Sequence, residues 1–150
     1  MKTLKHFING HYVAGSSEDS FELVSPVDGE TYAISPNANE AEVEQAYSAA
    51  EAAFSIWRKS TPAQRQKALL LLADEIERNV ERLVTAQSQE TGQLRHFIEK
   101  EEIAASCDAI RFFAGAARCL EGKAAGEYSA GFTSTIRREP LGVVGQVTPW

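Results

Sequence analysis

The chain has 150 residues, with 21 acidic against 15 basic side chains and a formal net charge of −6. This acidic balance argues against non-specific binding to nucleic acid, which needs a basic surface. The hydrophobic fraction of 43% and the charged fraction of 24% are typical of a globular domain, and we find no stretch long and apolar enough to cross a membrane.

The first residues predict a small antiparallel β layer. Asn9-Gly10 stands between two short apolar runs, which is the strongest local signal for a β-hairpin. A second pair of strands is expected at 21–24 and 31–36, joined by a turn through Asp28-Gly29. No apolar segment follows the basic N-terminus, so we expect no secretory signal.

Two helix starts follow the β layer. Asn39 with Glu42, and Thr61 with Gln64, both have the spacing of a capping box. The first helix is predicted to run to about residue 59 and the second to Gly92, with a break near residue 79. An apolar stripe at helical spacing is expected to face inward on the first helix, at Val43, Ala46, Tyr47, Ala50, Phe54 and Trp57.

A third helix is predicted over residues 97–121, ended by Gly122 in the left-handed conformation. It carries an acidic patch that includes Glu102 and Asp108. Such a patch is either a solvated helix face or an anionic rim that attracts a cationic substrate. Both interpretations stay open on sequence alone.

Residues 133–139 alternate weakly and are polar on both sides, which favours an edge strand. Residues 141–150 are uncharged, β-branched and interrupted by glycine, as expected of a strand buried on both faces of a parallel sheet. A buried strand needs neighbours on both sides, so we expect the chain to be the N-terminal part of a longer protein.

Other reactive side chains give weaker signals. Cys107 and Cys119 predict no disulfide framework, which favours a cytoplasmic location. Cys107 falls on the apolar stripe of its helix, and Cys119 lies near the helix end beside Arg118. Both are interpreted as packing residues, and not as nucleophiles, because a free cysteine is most often a small core residue. Arg137 and Arg138 would point to opposite faces of a strand, so they are poorly placed to bind one phosphate together. We expect them instead to form ion pairs at a subunit contact.

Several motifs together resemble the N-terminal segment of NAD-dependent aldehyde dehydrogenases. They are Phe7-Ile-Asn-Gly10, Ser25-Pro26 with Gly29, Trp57, Glu90-Thr91-Gly92, Arg138-Glu139-Pro140-Leu-Gly-Val-Val and Thr148-Pro149-Trp150. The stretches 111–118, 126–128 and 133–138 are similar to the aminobutyraldehyde branch, with betaine-aldehyde dehydrogenases as its neighbours.

The resemblance implies an α/β aldehyde dehydrogenase-like fold, of which this chain is the N-terminal part. Residues 1–132 would be the β hairpins and helical layer of the NAD-binding domain. Residues 133–140 would be an oligomerisation strand, and 141–150 the first buried strand leading into the Rossmann-like sheet. The catalytic domain would lie outside these 150 residues.

The resemblance also implies a reaction. A cysteine thiolate adds to the aldehyde, hydride passes to NAD, and a glutamate activates water against the thioester. Backbone N–H and an asparagine amide stabilise the oxyanion. In the family these cysteine and glutamate residues lie downstream of this segment, and neither cysteine here matches the nucleophile. We therefore expect no catalytic residue among the 150.

Binding residues are carried over position by position. Val147, Thr148, Pro149 and Trp150 match the family's turn beside the nicotinamide of NAD. Glu102 and Asp108 match acidic positions that would attract the ammonium end of an aminoaldehyde such as 4-aminobutanal. Leu23 and Val24, through their carbonyls, and Glu90 match a monovalent cation site of some relatives. Gln93 departs from the pattern, because many members have lysine there.

Alternatives remain open at this stage. The parent enzyme could oxidise a betaine aldehyde or a semialdehyde instead, and NADP could replace NAD. A different class would be a non-catalytic α/β binding or assembly module. For the enzyme we expect a small-molecule aldehyde as partner, a homodimer or homotetramer, and neither nucleic acid nor membrane.

Overall fold

A computed structural model describes residues 2–122 and 125–148. Its first part is the expected β layer, and it has two sheets. The strands are β1 Lys2–Thr3, β2 His6–Ile8, β3 His11–Val13, β4 Ser20–Val24 and β5 Thr31–Pro36. One sheet has the strand order β1-β5-β4, with β1 parallel and β4 antiparallel to β5; the other is the antiparallel pair of β2 and β3.

Both predicted hairpins are confirmed. Asn9 and Gly10 have φ of 51° and 80°, as the two central residues of a type I′ turn require. In the second hairpin the Ser25 N–H donates to the carbonyl of Glu30 at 2.9 Å, and Gly29 has φ of 76°. The parallel edge strand β1 was not predicted, because two residues carry no periodic signal.

The helices follow in chain order, and their starts are as predicted. Asn39 and Glu42 form a complete capping box, as do Thr61 and Gln64. Gly92, with φ of 73°, ends the third helix. The bounds are α1 Glu40–Trp57, α2 Pro62–Arg78, α3 Val80–Thr91, α4 Arg95–Phe97, a π-helical segment Ile98–Ile103 and α5 Ala104–Ala116.

The last helical stretch differs from the prediction in two ways. It contains the π-helical turn over 98–103, which a search for a 3.6-residue period does not detect. It also ends at Ala116, before the predicted residue 121, and Gly122 is not left-handed. Its end tightens through i to i+3 hydrogen bonds, from Arg118 N–H to Gly115 and from Cys119 N–H to Ala116.

The buried core lies between α2, α3, the π-helical segment and α5. Small side chains let α2 and α5 approach, since Ala73 and Ala114 are fully buried. Arg111 on α5 donates to Asp74 at 2.9 Å and to Glu77 at 2.6 Å on α2. These carboxylates raise the pKa of Arg111 above its ordinary value. The apolar cluster comprises Val84, Ile98, Ile103 and Cys107.

Helix α1 does not bury its predicted apolar stripe. Val43, Tyr47 and Trp57 are 47%, 49% and 51% exposed. The only buried side chain that α1 contributes is that of Glu42. The periodicity was interpreted correctly as a helix. Among the described residues no other helix packs along this face, and its contacts are with the β2–β3 hairpin and with Gly145.

The region after α5 corrects two strand predictions. The predicted loop at 126–131 is instead part of an antiparallel hairpin of β6 Gly126–Ser129 and β7 Phe132–Ser134, which turns at Gly131. The predicted strand over 133–140 is therefore limited to its first two residues. No strand forms over the described residues 135–148, because none of the described strands pairs with them. The proposed domain boundaries stay predictions.

Candidate functional site

The C-terminal end of α3 builds a tight polar corner. Left-handed Gly92 turns the chain, and its N–H donates to the Ser88 carbonyl at 2.9 Å. The Ser88 hydroxyl donates to the Gln93 carbonyl at 2.9 Å, and the Gln93 N–H donates to the Thr91 hydroxyl at 3.2 Å. These bonds fix the backbone of Gln93 and aim its side chain at the π-helical segment.

Glu102 is held at this corner. The Gln93 amide Nε2 donates to Glu102 Oε1 at 2.8 Å, and the Gln87 amide donates to Glu102 Oε2. Gln87 also donates to Gln93 Oε1 at 2.9 Å, which closes the network. Both donors to the carboxylate are neutral amides, so they orient the partly buried Glu102 side chain without neutralising its charge.

Asp108 does not join this network. Its side chain is exposed on α5, and among the described residues no hydrogen bond or ion pair links it to Glu102. Glu99 pairs with Lys100 at 2.9 Å, and the lysine lowers the pKa of Glu99. The acidic patch thus consists of one oriented carboxylate, Glu102, and neighbours that face solvent.

The three residues of the expected cation site lie on elements that approach each other. Leu23 and Val24 end β4, with a register irregularity between them. Glu90 lies in the last turn of α3. Burial and the charge of Glu90 raise the pKa of Tyr32 on β5, which places Glu90 beside the same sheet. A Cβ added at Gly92 would lie 3.2 Å from Pro26, so this end of α3 packs on the β4–β5 turn.

The expected cofactor turn is only partly described. Val147 and Thr148 are exposed, and Gln146 Nε2 donates to Thr148 Oγ1 at 3.3 Å. Nearby, a Cβ added at Gly145 would lie 3.2 Å from the Tyr47 hydroxyl, so the segment runs along α1. Pro149 and Trp150 lie outside the described residues.

The surroundings of the two cysteines differ in burial. Cys107 is buried between helices, its Sγ lies 3.8 Å from the Ala73 carbonyl, and burial raises the pKa of its thiol. A raised pKa disfavours the thiolate that nucleophilic catalysis needs. Cys119 is exposed, with Sγ 3.9 Å from the Gly115 carbonyl. Within the described ranges, no group of three or more His, Cys, Asp or Glu side chains could hold a metal ion.

Sequence reasoning missed a basic cavity. Arg137 and Arg138 line it together with the α1–α2 junction, although a strand would have pointed them to opposite faces. Both arginines line the same cavity because residues 135–140 are not in a strand. The clustered sequence signals were Arg58-Lys59 and Arg137-Arg138, but nothing in their spacing showed that these segments meet.

Comparison with known proteins gives the class. A sequence model described as the aldehyde dehydrogenase family matches residues 12–150. The chain therefore belongs to the aldehyde dehydrogenase family.

Individual proteins to which this chain is similar support the same class. A long-chain-aldehyde dehydrogenase of Acinetobacter sp is 36% identical over 97% of this chain. The structure of PnpE in complex with nicotinamide adenine dinucleotide is 30% identical, with a TM-score of 0.84 over 94% of this chain. A salicylaldehyde dehydrogenase from Pseudomonas putida G7 complexed with salicylaldehyde is 28% identical, with a TM-score of 0.85 over 95% of it.

These matches confirm the predicted α/β fold as the N-terminal part of an aldehyde dehydrogenase-like architecture. The chain spans 29% of the Acinetobacter relative, 28% of PnpE and 29% of the salicylaldehyde dehydrogenase. No helix over the described residues is long and apolar enough to cross a bilayer.

Proposed function

We propose that this chain is part of an enzyme that oxidises an aldehyde to the corresponding carboxylate with NAD. The observation that carries the proposal is the family match over residues 12–150. The similarity to PnpE, a structure in complex with NAD, supports the choice of cofactor. NAD supplies the hydride acceptor for this chemistry.

Val147 and Thr148, with Pro149 and Trp150, are our candidates for holding the nicotinamide end. The exposed Val147 side chain offers an apolar surface, and the Thr148 hydroxyl offers a hydrogen-bonding group in the same segment. This combination suits a flat ring that carries a polar amide. The nucleophilic cysteine is expected elsewhere, because neither Cys107 nor Cys119 matches its position in the family, and the Cys107 thiol is also buried with a raised pKa.

The test is reduction of NAD by the full-length protein in the presence of a panel of aldehydes, followed at 340 nm. We expect NADH to form with at least one aldehyde, and NADP to replace NAD less effectively. Absence of turnover with every aldehyde, in a folded protein that binds NAD, would favour a non-catalytic binding or assembly module.

The proposed substrate class is an aminoaldehyde such as 4-aminobutanal. The oriented Glu102 carboxylate supports it, since two amides fix its position and leave its negative charge available to an ammonium group. Exposed Asp108 would add a longer-range attraction. The names of the relatives given above specify long-chain aldehydes and salicylaldehyde, so this assignment depends on Glu102 and not on them.

Replacement of Glu102 tests the substrate class separately from the reaction. In Glu102→Gln we expect KM for 4-aminobutanal to rise roughly five-fold, which corresponds to about 1 kcal/mol of charge attraction. KM for butanal should stay unchanged. Glu101→Gln is the matched control, because Glu101 is an exposed neighbour outside the network. Equal effects on both aldehydes would remove the aminoaldehyde assignment and leave the dehydrogenase intact.

Betaine aldehyde and semialdehydes are the alternative substrates. Betaine aldehyde keeps a positive charge but cannot donate a hydrogen bond from it, and a semialdehyde that ends in a carboxylate would be repelled by Glu102. A higher kcat/KM for such a semialdehyde than for 4-aminobutanal would contradict the charge argument.

We also propose a monovalent cation site at the carbonyls of Leu23 and Val24 and the carboxylate of Glu90. The approach of the α3 end to the β4–β5 turn supports it. Replacing K⁺ by a large organic cation should lower the melting temperature of the full-length protein, and Glu90→Gln should abolish that difference.

A homodimer or homotetramer in the cytoplasm is the assembly we expect, and light scattering of the full-length protein measures its mass.

A further inference from the structure

A basic cavity of about 670 Å³ lies where the end of α1, the α1–α2 junction and residues 137–140 meet. Its size falls in the range of pockets that hold small molecules. The lining residues share a pattern of cationic groups around an apolar wall: Arg58, Lys59, Arg65, Arg137 and Arg138 with Phe54, Trp57, Leu120 and Pro140, together with Ser60 and Glu139.

The charge of this cavity is opposite to that of the chain. Five basic side chains face one carboxylate there, whereas the chain as a whole has a formal charge of −6. The first turn of α2, which begins beside the cavity, has no acidic residue, so the positive end of its helix dipole is not offset. The potential inside the cavity therefore favours an anion.

Most of these cations bond to neutral groups. Arg65 Nη1 donates to the Ser60 carbonyl at 2.6 Å, and Arg138 Nε donates to the Glu121 carbonyl at 3.3 Å. The Arg58 guanidinium lies 5.3 Å from the centre of the Phe54 ring. Neutral partners orient the guanidinium groups without cancelling their charge, so the fork of donors on each arginine stays available to a phosphate.

Arg137 differs because it pairs with Glu139 at 3.5 Å. Both side chains of this pair are exposed, and such pairs are weak. An incoming phosphate could therefore take over Arg137 at little cost.

The apolar wall adds a second recognition element. Trp57 is half exposed and lies on the same cavity as the cations. A flat aromatic ring can stack on an exposed indole or on a guanidinium plane. A monocarboxylate would leave most of the positive charge unbalanced, whereas a ring that carries two or three phosphates matches both the wall and the charge.

We propose that this cavity binds a nucleoside di- or triphosphate, with the phosphates on Arg137, Arg138 and Arg65 and the base against Trp57. The site is separate from the expected nicotinamide segment at Val147 and Thr148, whose residues do not line the cavity. The inference therefore goes beyond the dehydrogenase proposal and does not depend on it.

The experiment is isothermal titration calorimetry of ATP, pyrophosphate and adenosine into the full-length protein, with NAD in excess. We expect ATP to bind best, pyrophosphate about ten-fold more weakly, and adenosine without measurable heat. The Arg137→Met/Arg138→Met variant should weaken ATP binding at least ten-fold. Raising the salt concentration should weaken it in the wild type as well.

Two controls keep the result decisive. Lys67→Met removes an exposed cation of α2 that does not line the cavity, and it should bind ATP like the wild type. Arg138→Met alone is a second cavity variant, to be used if the double variant has a lowered melting temperature. Wild-type ATP affinity in either cavity variant, or no anion binding at low salt, would overturn the proposal. Dissociation of an oligomer in the cavity variants without ATP binding would overturn it too, and would assign this face to a subunit contact.

Discussion

Among the described residues, helix α2 packs along another helix, whereas helix α1 does not. Helix α2 packs on α5 through Ala73 and Ala114, and Arg111 bridges the pair with two carboxylates of α2. Helix α1 leaves Val43, Tyr47 and Trp57 about half exposed. The contrast shows that periodicity determines which face of a helix is apolar, whereas burial depends on what lies opposite.

The attachment of α1 is polar. Glu42 accepts hydrogen bonds from the Asn39 N–H at 2.9 Å and from the Ser16 N–H at 2.7 Å, and the Ser16 hydroxyl donates to it as well. Its Oε2 lies 3.7 Å from His6 Nε2 on β2. One carboxylate thus joins α1 to the loop before β4 and to the hairpin of β2 and β3.

The largest expected effect comes from the same truncation made in both regions. Ile98 is fully buried and Ile56 on α1 is 76% exposed. Ile98→Ala should cost about 2–5 kcal/mol in the free energy of unfolding, because it leaves a cavity in the core. Ile56→Ala should change it by less than about 0.5 kcal/mol. Urea unfolding of the full-length protein measures both, and equal costs would contradict the contrast.

An enlargement tests the contrast in the opposite direction. Ala114 is fully buried against α2, whereas Ala46 on α1 is exposed. Ala114→Leu should destabilise the protein by about 1–3 kcal/mol through overpacking. Ala46→Leu should be close to neutral. Comparable shifts in the urea midpoint would show that the α1 face is covered as tightly as the α2–α5 contact.

Loss of a helix cap should have a smaller effect. Asn39→Ala removes the side chain that accepts from the Glu42 N–H at 3.0 Å, at a cost of about 1 kcal/mol. Because α1 has few tertiary contacts, we expect the loss as faster amide exchange in α1, with α2 unchanged. Thr61→Ala is the matched change at the start of α2. Equal loss of protection throughout both helices after Asn39→Ala would mean that they unfold as one unit.

The smallest expected effect is a dependence on pH. Hydrogen bonds from Asn39 and Ser16 lower the pKa of Glu42 below its usual 4.5. A lowered folded-state pKa stabilises the protein above the unfolded value and is lost as the pH falls through the folded value. The melting temperature should therefore fall below about pH 4.5, less steeply in Glu42→Gln. An unchanged slope in that variant would assign the acid sensitivity to other carboxylates, such as Glu77, whose pKa Arg111 also lowers.

Local signals predicted local structure well. Asn9-Gly10, the two capping boxes and Gly92 each act through residues a few positions apart, so the sequence contains the whole interaction. The fold of the whole chain was predicted from the family resemblance and not from these local signals. The β6–β7 hairpin was missed because its turn was interpreted as part of a loop, although Gly131 provides the positive φ that the turn needs.

The candidate sites depend on approaches between distant segments. Glu102 was selected by resemblance, but its two amide partners lie 9 and 15 positions away, at a corner made by the end of α3. The basic cavity joins residues 54–65 to 137–140. No spacing rule predicts such contacts, because they depend on how helices and loops pack.

The π-helical segment has an evolutionary consequence. A π turn accommodates one more residue than an α turn, so it can arise from a single-residue insertion in an older regular helix. Deleting one residue from 98–103 would rotate everything that follows by about 100° relative to α3. Glu102 lies within this segment and the buried Cys107 follows it. One codon lost or gained there would therefore change which side chains meet the Gln87–Gln93 corner and which enter the core.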